Sequence, residues 1–511
     1  MSRMPRPLAS HRSSSSLLWA FVFAATCVTG SRNPELGDAE LMCQAARSLI
    51  DRGTVAIEPL RSDVMQGVDG KHYTKYPLLT VVQCVPALLL KDAAHALAPG
   101  DAALEALALG IVPHAVAATL ALGIWQLGLG LGADVAAASW LALIVLFTTP
   151  LWPAGRALYS EGLQATLVVW IALMTVRARH AKRRSAFVWA GLLCGLAINT
   201  KITLCIMPVA LLVDQWQLPS RHTRLAQLLL FALPAGCLGV LAWLAYNRLR
   251  FGDMLNQGYG AHHDASFGFN VPLAAGLYGL LFSSGKSIFL YAPVLLASLV
   301  AIPHWFRQRR RDLWLIAIPC AFTFAVTARW WSWSGDWAWG PRLLLPIVPL
   351  AALPLIDVLG SRSRAARASL GLLALLGLYV QVLGVSIDPA QFLKVLHPVT
   401  RAVAGKDLDR VRDDLLATHF VPELSPIVGQ QWLLVRYMQQ RPWTVNSYHP
   451  WQSLGLRAWR PHGDPTPTEL DFWLDGRSSR TAVLVELGLG LGALLLAAWL
   501  LHQLRTARSP Q

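Results

Sequence analysis

Two carboxylates that could accept a proton stand in the first of five hydrophilic segments that separate the apolar runs of this chain. Asp38 and Glu40 precede an apolar stripe with helical spacing, and Gly53 is predicted to end this amphipathic helix. A carboxylate beside an acceptor hydroxyl or amine acts as a general base while the acceptor attacks a neighbouring carbon. Asp is also favoured at helix N-caps, so capping is the alternative role for Asp38.

Side chains suited to binding a phosphate lie beside or within later apolar runs. Lys75 and Tyr76 precede an apolar run, and Lys201 interrupts another. Glu161, at the start of a third run, is a candidate substrate-binding residue. Basic side chains stabilise the charge that grows on a phosphate leaving group, and they do so more strongly where water is excluded. An interfacial belt of Lys and Tyr is the alternative explanation for Lys75 and Tyr76.

The segment 329–342 is the most unusual one, because it contains five tryptophans and one aspartate between two arginines. Trp331, Trp337 and Asp336 offer aromatic faces with a polar group among them, which suits a sugar ring. Arg342 suits a phosphate. A membrane aromatic belt accounts for some of the tryptophans, but it does not account for Asp336 or Arg342.

The segment 247–286 adds Tyr259 and Lys286 as candidate substrate-binding residues. His262, His263 and Asp264 are adjacent in it, and adjacent loop residues rarely converge on one metal ion. The ligand spacing therefore supports no firm cofactor, and a divalent metal is left as an open alternative.

The composition is that of a membrane protein. Of 511 residues only 14% are charged, the mean hydropathy is +0.44, and apolar runs near the length of a bilayer crossing recur along the chain. The net charge of +15 comes largely from arginines in short connections, which indicates cytoplasmic segments and contact with membrane lipid rather than a nucleic-acid partner. Cys43 and Cys84 could pair in an oxidising loop, but free thiols are the default.

The basic segments predict about twelve crossings with both termini inside, since cytoplasmic segments must be separated by an even number of crossings. By this parity the run 76–90 lies as a helix on the outer surface, and 186–213 crosses twice as two short helices with a turn at 199–201. Residues 17–28 are interpreted as a retained anchor rather than a signal peptide.

The expected fold class is an all-α polytopic membrane protein with surface amphipathic helices in the first outer loop. We divide the chain into a transmembrane catalytic module at 1–387, with its first outer loop at 31–102, an outer segment at 388–480, and a final transmembrane helix with a cytoplasmic tail at 481–511.

The order of these motifs resembles the GT-C superfamily of membrane glycosyltransferases. It is similar to the family 39-like bacterial branch, which includes protein O-mannosyltransferases and lipid A aminoarabinose transferases. The matching stretches are 38–40, 75–77, 159–161, 195–201, 251–259, 276–293 and 331–346, whereas 388–480 matches nothing.

This resemblance implies a polyprenyl-phosphate sugar donor, such as an undecaprenyl-phosphate sugar. It implies Asp38, with Glu40 beside it, as the catalytic carboxylate, and Lys75, Arg342 and Lys201 as ligands of the donor phosphate. In one departure from the family pattern, the second outer acidic site is a lone Glu161 rather than a pair, which weakens a role for a bridging metal.

The function that follows is an inverting glycosyltransferase acting on the outer, periplasmic face of a bacterial inner membrane. Inversion needs one base, whereas retention by double displacement needs a second carboxylate as nucleophile. A secondary transporter or a lipid-linked sugar flippase is the alternative, but transporters often have internal repeats and the sequence has none. The sequence does not specify the sugar, nor whether the acceptor is a lipid, a glycan or a protein.

Overall fold

The computed structural model describes residues 12–59, 64–181, 184–216, 221–259, 268–393, 396, 416–443, 447–448, 466–473 and 479–506. These residues are mostly helical. Their one sheet is a two-stranded antiparallel hairpin in the first outer loop, formed by β1 (Met65–Gln66) and β2 (His72–Tyr73). Predictions for His262, His263 and Asp264 lie outside the described residues.

The first half of the described chain contains twelve α-helices. They are α1 (Arg12–Val28), α2 (Asp38–Arg52), α3 (Leu78–Val82), α4 (Cys84–Leu97), α5 (Ala102–Gly130), α6 (Val135–Phe147), α7 (Leu151–Ala154), α8 (Ser160–Ala181), α9 (Arg184–Ile198), α10 (Ile206–Trp216), α11 (Arg221–Ala235) and α12 (Ala242–Phe251). A short 3₁₀ helix, Ile202–Cys205, precedes α10, and a π-helical stretch, Gly236–Leu241, joins α11 to α12.

The second half continues in the same pattern. Its helices are α13 (Leu273–Phe282), α14 (Ile288–Tyr291), α15 (Val294–Gln308), α16 (Arg310–Arg329), α17 (Val348–Ala351), α18 (Leu355–Leu359), α19 (Arg364–Ser386), α20 (Leu416–Phe420), α21 (Pro426–Met438) and α22 (Arg480–Thr506). Two 3₁₀ helices, Arg342–Ile347 and Pro422–Leu424, lie among them.

Seven helices of the described chain are long and apolar enough to cross a membrane, which makes this a multi-pass membrane protein by length and composition. Six of them lie at predicted crossings: Ala102–Gly130, Ser160–Arg179, Leu228–Phe251, Arg310–Arg329, Arg364–Ser386 and Arg480–His502. Shorter apolar helices such as Val135–Phe147 occupy further predicted crossings, so the count of about twelve stays a prediction.

The seventh long helix is Leu78–Leu97, which contains α3 and α4. We predicted 76–90 to be too short to cross, and that length argument is wrong because the helix continues past Lys91 and Asp92. These charges are neutralised within the fold, since Lys91 lies 3.3 Å from Glu35 and Asp92 lies 2.6 Å from Arg47. The position of this helix on the outer surface stays a prediction.

The stretch 186–213 forms two short helices, as predicted. Helix α9 ends at Ile198, and a turn at 199–201 leads into the 3₁₀ helix before α10. Asn199 stabilises the turn, because its side-chain amide donates to the carbonyls of Gly195 and Leu238. Backbone that leaves a helix at this depth needs such internal partners.

The main apolar core joins α1, α5, α6, α8 and α9 to the helices from α15 to α19. A second cluster holds α2 against α4. Leu41 and Met42 are fully buried there beside Cys43 and Cys84, which are both free thiols. Burial of such a large apolar side chain contributes about 1.5–3 kcal/mol, so this cluster fixes the position of the helix that begins at Asp38.

Candidate active site

Asp38 is the first residue of α2, and Gly37 before it has a φ of 66°, a conformation that favours glycine. The Asp38 carboxylate caps no backbone N–H of its own helix. It forms an ion pair with Arg342 instead, with Oδ2 2.8 Å from Nη1. The exposed fractions of the two side chains are 31% and 16%, so the pair is largely shielded from solvent. The capping role considered from the sequence is therefore not the role this carboxylate has in the fold.

Arg342 follows a loop of residues 330–341, which we call the tryptophan loop. The buried ammonium of Lys286 holds this loop, because its Nζ donates to the carbonyls of Asp336 and Ala338, each at 2.8 Å, and of Gly340 at 3.4 Å. Lys286 was predicted to contact substrate, but the structure does not bring it to the cavity lining with the other candidates. It positions the loop that carries them.

Close packing at the turn of the tryptophan loop sets the direction of Arg342. Gly335 has a φ of 72°, and a Cβ there would lie 2.7 Å from Arg342 Cγ. Asp336 follows with a φ of 55°, and the Ser332 hydroxyl donates to its Oδ1 at 2.7 Å. A larger residue at 335 would displace the guanidinium, so glycine is required there.

Six of the predicted site residues line one cavity of about 590 Å³: Asp38, Glu161, Trp331, Asp336, Trp337 and Arg342. Tyr159, which also lines it, lies close to α2, since its hydroxyl is 3.5 Å from the position of a Cβ on Gly37. The Nε of Arg342 is buried and has no hydrogen-bond partner among the described residues. The cavity thus offers the carboxylate of Asp38, a guanidinium with an unused donor, and the indole rings of Trp331, Trp337 and Trp339.

Four further candidates lie around the pair but do not line the cavity. The Lys75 ammonium is 5.7 Å from the ring centroid of Tyr76 and 5.6 Å from that of Tyr259. The Lys75 charge acts on Asp38, and the Lys201 charge acts on both Asp38 and Glu161. Asp38 therefore has a basic and aromatic environment.

The charges around Asp38 keep it ionised. Burial alone would raise the pKa of Asp38, but the charges of Arg342 and Lys75, with the nearby Tyr76 hydroxyl, outweigh burial and lower the pKa below its ordinary value. Burial and the Asp38 charge raise the pKa of Tyr259 to about 12 and that of Tyr76 further, so both phenols stay protonated. The Tyr76 hydroxyl is buried without a partner in hydrogen-bond geometry, so it can reorient towards a ligand or towards Asp38.

Glu40 does not join Asp38 in the cavity. It is exposed on α2, and the Gln44 side chain donates to its Oε1 at 3.5 Å. Residues two positions apart in an α-helix are separated by about 200° around its axis. Asp38 and Glu40 therefore face in nearly opposite directions. A catalytic role for Glu40 was predicted from its place in the motif, and the geometry separates it from Asp38.

Sequence reasoning missed several residues of the cavity lining. Gly384, Asp388, Pro389, Ala390 and Asp471, which we call the C-terminal wall, line it together with Arg156. Arg156 is 2% exposed, and it donates to the backbone carbonyls of Thr29, Val385 and Asp471 while its Nη1 lies 3.5 Å from the Asp471 carboxylate. The available signal in the sequence was an arginine in the short connection 150–158 between two apolar runs.

The described residues contain no group of three or more His, Cys, Asp or Glu side chains that could hold a metal ion. Glu161 and Asp38 line the same cavity, but the charges that act on both of them come from Arg342 and Lys201.

No family model and no curated relative matches the sequence. In the comparison with solved structures, ArnT from Cupriavidus metallidurans bound to undecaprenyl phosphate is 14% identical with a TM-score of 0.43, and the match covers 97% of this chain and 77% of ArnT. The archaeal oligosaccharyltransferase AglB from Archaeoglobus fulgidus, in complex with an inhibitory peptide and a dolichol-phosphate, is 11% identical with a TM-score of 0.40, over 90% of this chain and 61% of AglB.

An apo oligosaccharyltransferase structure from Archaeoglobus fulgidus is 12% identical with a TM-score of 0.41, over 89% of this chain and 61% of that chain. The present chain thus spans about three-fifths of the length of the oligosaccharyltransferases.

Proposed function

We propose that this protein is an inverting membrane glycosyltransferase that moves a sugar from a polyprenyl-phosphate donor to an acceptor hydroxyl or amine at the outer face of the membrane. The observation that carries the proposal is the ion pair of Asp38 with Arg342 in a cavity with indole walls. It brings together one general base, one phosphate ligand and a surface for a sugar ring.

The reaction needs one bond to form and one to break at the anomeric carbon of the sugar. The acceptor heteroatom attacks this carbon, the bond from carbon to the phosphate oxygen breaks, and Asp38 takes the acceptor proton. The polyprenyl phosphate leaves as an anion with one more negative charge than it had in the donor. Arg342, with Lys75 and Lys201 nearby, stabilises this charge in a site with little water.

Donor binding would also release the base. In the free protein the Asp38 carboxylate is bound to Arg342 Nη1, and the Nε of the same guanidinium is unused. A phosphate that binds Arg342 through Nε and a second nitrogen weakens the pair, because guanidinium and phosphate match in bidentate geometry. Asp38 then becomes a stronger base once the donor is in place, so that proton transfer follows donor binding.

The apolar surroundings suit the lipid part of the donor. Helix α13, which packs against α16 just before the tryptophan loop, has the exposed apolar residues Leu273, Tyr278 and Phe282. A prenyl chain requires such a surface between or beside membrane helices. The periplasmic position of the site and the bacterial inner membrane rest on the distribution of basic segments in the sequence.

The test is transfer from a panel of radiolabelled polyprenyl-phosphate sugars to a membrane extract, with the purified full chain in lipid nanodiscs. We expect labelled product from one donor sugar, with release of the polyprenyl phosphate and inversion at the anomeric carbon by NMR. Retention of configuration would contradict a single base. Absence of donor binding across the panel would contradict the proposed glycosyltransferase function.

A further inference from the structure

The turn at 283–286, which connects α13 to α14, carries Lys286. Its ammonium fixes the tryptophan loop through three backbone carbonyls. Within the turn, the Lys286 backbone N–H donates to the Ser283 hydroxyl at 3.1 Å. The position of the tryptophan loop, and of Arg342 directly after it, therefore depends on where this turn lies.

The turn packs against a later part of the chain, residues 418–425, which we call the brace segment. The Gly285 backbone N–H donates to the His419 carbonyl at 2.9 Å, and the Ser284 hydroxyl donates to the same oxygen at 3.2 Å. In the other direction, the Ser425 hydroxyl donates to the Ser284 carbonyl at 2.8 Å. His419 and Ser425 are both buried, and a buried polar group that loses its partner is costly. These bonds therefore hold the turn against the brace segment.

Glycine at position 285 permits this close contact. A Cβ there would lie 2.1 Å from the Thr418 carbonyl oxygen and 2.9 Å from the His419 Cα. The φ of Gly285 lies outside the left-handed region, so the backbone of the turn itself would accept alanine. It is therefore the brace segment that excludes a side chain at this position.

The brace segment also contacts the tryptophan loop directly, through Trp333. The centroid of the Trp333 ring lies 5.6 Å from that of His419 and 5.9 Å from that of Phe420, within the range of favourable aromatic pairs. The same indole packs on α13, where a Cβ on Gly279 would lie 2.2 Å from it. Trp333 is buried by these contacts, so a shift of the brace segment would leave the indole without part of its packing.

The brace segment is itself fixed to the end of α19. Helix α21 begins directly after Ser425, and its Gln430 side chain donates to the carbonyl of Asp388 in the C-terminal wall at 3.2 Å. Gly429 on the same helix packs closely on the Phe392 ring, which lies 2.2 Å from the position of a Cβ on Gly429. The brace segment therefore has a fixed support from which it can hold the 283–286 turn.

We propose that the brace segment positions the tryptophan loop, and through it Arg342, for binding of the donor phosphate. It acts by two routes, through the turn that carries Lys286 and through the Trp333 ring. The consequence for the donor rests on the proposed function, whereas the effect on the loop does not. A part of the chain that matches no sequence motif is thus required on the donor side of the cavity.

The test compares Gly285→Ala with Gly371→Ala in the full chain in lipid nanodiscs. Both substitutions add one methyl group, but Gly371 is exposed on α19 and a Cβ there meets nothing within 4 Å. Hydrogen exchange of the amides of residues 330–342, followed by mass spectrometry, reports the stability of the loop without any turnover. We expect exchange about tenfold faster in Gly285→Ala, with amides of α5 at their wild-type rate. Gly371→Ala should leave both regions unchanged.

Ser425→Ala is the milder variant, since it removes one hydrogen bond and adds no atom. We expect exchange of the loop about threefold faster, as the loss of one hydrogen bond predicts. This variant decides the question if Gly285→Ala does not fold. Wild-type exchange of the loop in the folded variants would overturn the inference. An equal acceleration in α5 would also overturn it, because the brace segment would then support the whole fold.

Donor affinity is measured on the same samples with a fluorescent polyprenyl phosphate. We expect it to fall about fivefold in Gly285→Ala, because the guanidinium of Arg342 is displaced but still present. Faster exchange of the loop with unchanged donor affinity would overturn the link to Arg342. If the wild type binds no polyprenyl phosphate, the proposed function fails, and the exchange rates still test whether the brace segment holds the loop.

Discussion

Replacement of Arg342 by Gln should impair donor binding and change the pH dependence of transfer at the same time. The guanidinium is largely buried and has an unused Nε, so it can form at least one charge-assisted hydrogen bond to the donor phosphate. A hydrogen bond to a charged group contributes about 1.5–3 kcal/mol, which corresponds to a loss of about 10- to 150-fold in affinity. Lys75 and Lys201 remain, so binding should not be abolished.

The pH effect follows from Asp38. Its pKa in the free protein is lowered from 3.8, so the acidic limb of kcat/KM should lie below pH 4 in the wild type. Without Arg342, burial still raises the pKa of Asp38, and it is opposed only by the weaker set of Lys75, Lys201 and the Tyr76 hydroxyl, so the limb should move to higher pH. The lowered pKa also means that Asp38 stabilises the fold above its unfolded pKa, and that this contribution is lost as the pH falls through the folded value.

Donor affinity is measured with a fluorescent polyprenyl phosphate in nanodiscs, and the pH profile by initial transfer rates. Arg329→Gln is the matched control, because Arg329 is exposed at the start of the same loop and donates to the Phe269 carbonyl at 2.8 Å. Donor affinity within twofold of wild type in Arg342→Gln would refute the phosphate role. An acidic limb that stays in place would refute the coupling of Arg342 to Asp38.

Three further changes test the placement of other residues. Glu40→Gln should leave the transfer rate within about twofold of the wild-type rate, because Glu40 is exposed and outside the cavity lining. A loss of rate as large as that of an Asp38 variant would instead show that Glu40 is catalytic. Lys286→Met should lower kcat and reduce the free energy of unfolding by about 2–4 kcal/mol, measured by denaturant titration, since buried carbonyls of the tryptophan loop lose a charged donor. Lys286→Arg should restore part of both, and an unchanged stability in Lys286→Met would contradict the positioning role. Lys91→Cys should react with an impermeant maleimide added from the outside of intact cells; labelling only from the cytoplasmic side would overturn the outer position of α4.

The sequence predicted those features that depend on local chemistry. Helix α2 begins at Asp38 and ends at Arg52, and Gly53 caps it with a left-handed φ of 66°, as a C-cap glycine should. The helix break at 199–201 was predicted from the polar residues within an apolar run, and α9 ends at Ile198. The nearness of Asp38 to Arg342 was implied by the family resemblance and by their common side of the membrane, and the structure places them 2.8 Å apart.

Other features depend on contacts that no local pattern encodes. The length of Leu78–Leu97 was missed because Lys91 and Asp92 find partners on the first outer loop, which makes charge within the helix acceptable. Arg156, Asp388 and Asp471 belong to different parts of the chain, and only tertiary packing shows that they line the same cavity. Lys286 was interpreted as a substrate-binding candidate in the segment 247–286, although its ammonium donates to backbone carbonyls of the tryptophan loop.

The most direct test of the central claim is the transfer rate of Asp38→Asn at saturating donor and acceptor. The substitution keeps the size of the side chain and removes its ability to accept a proton, so the account predicts a loss of at least about 100-fold in kcat, in the range that general bases contribute. Donor affinity should not fall, because Arg342 loses a competing partner and is freer to bind the phosphate. A rate near that of the wild type, in a variant that binds donor normally, would contradict Asp38 as the base.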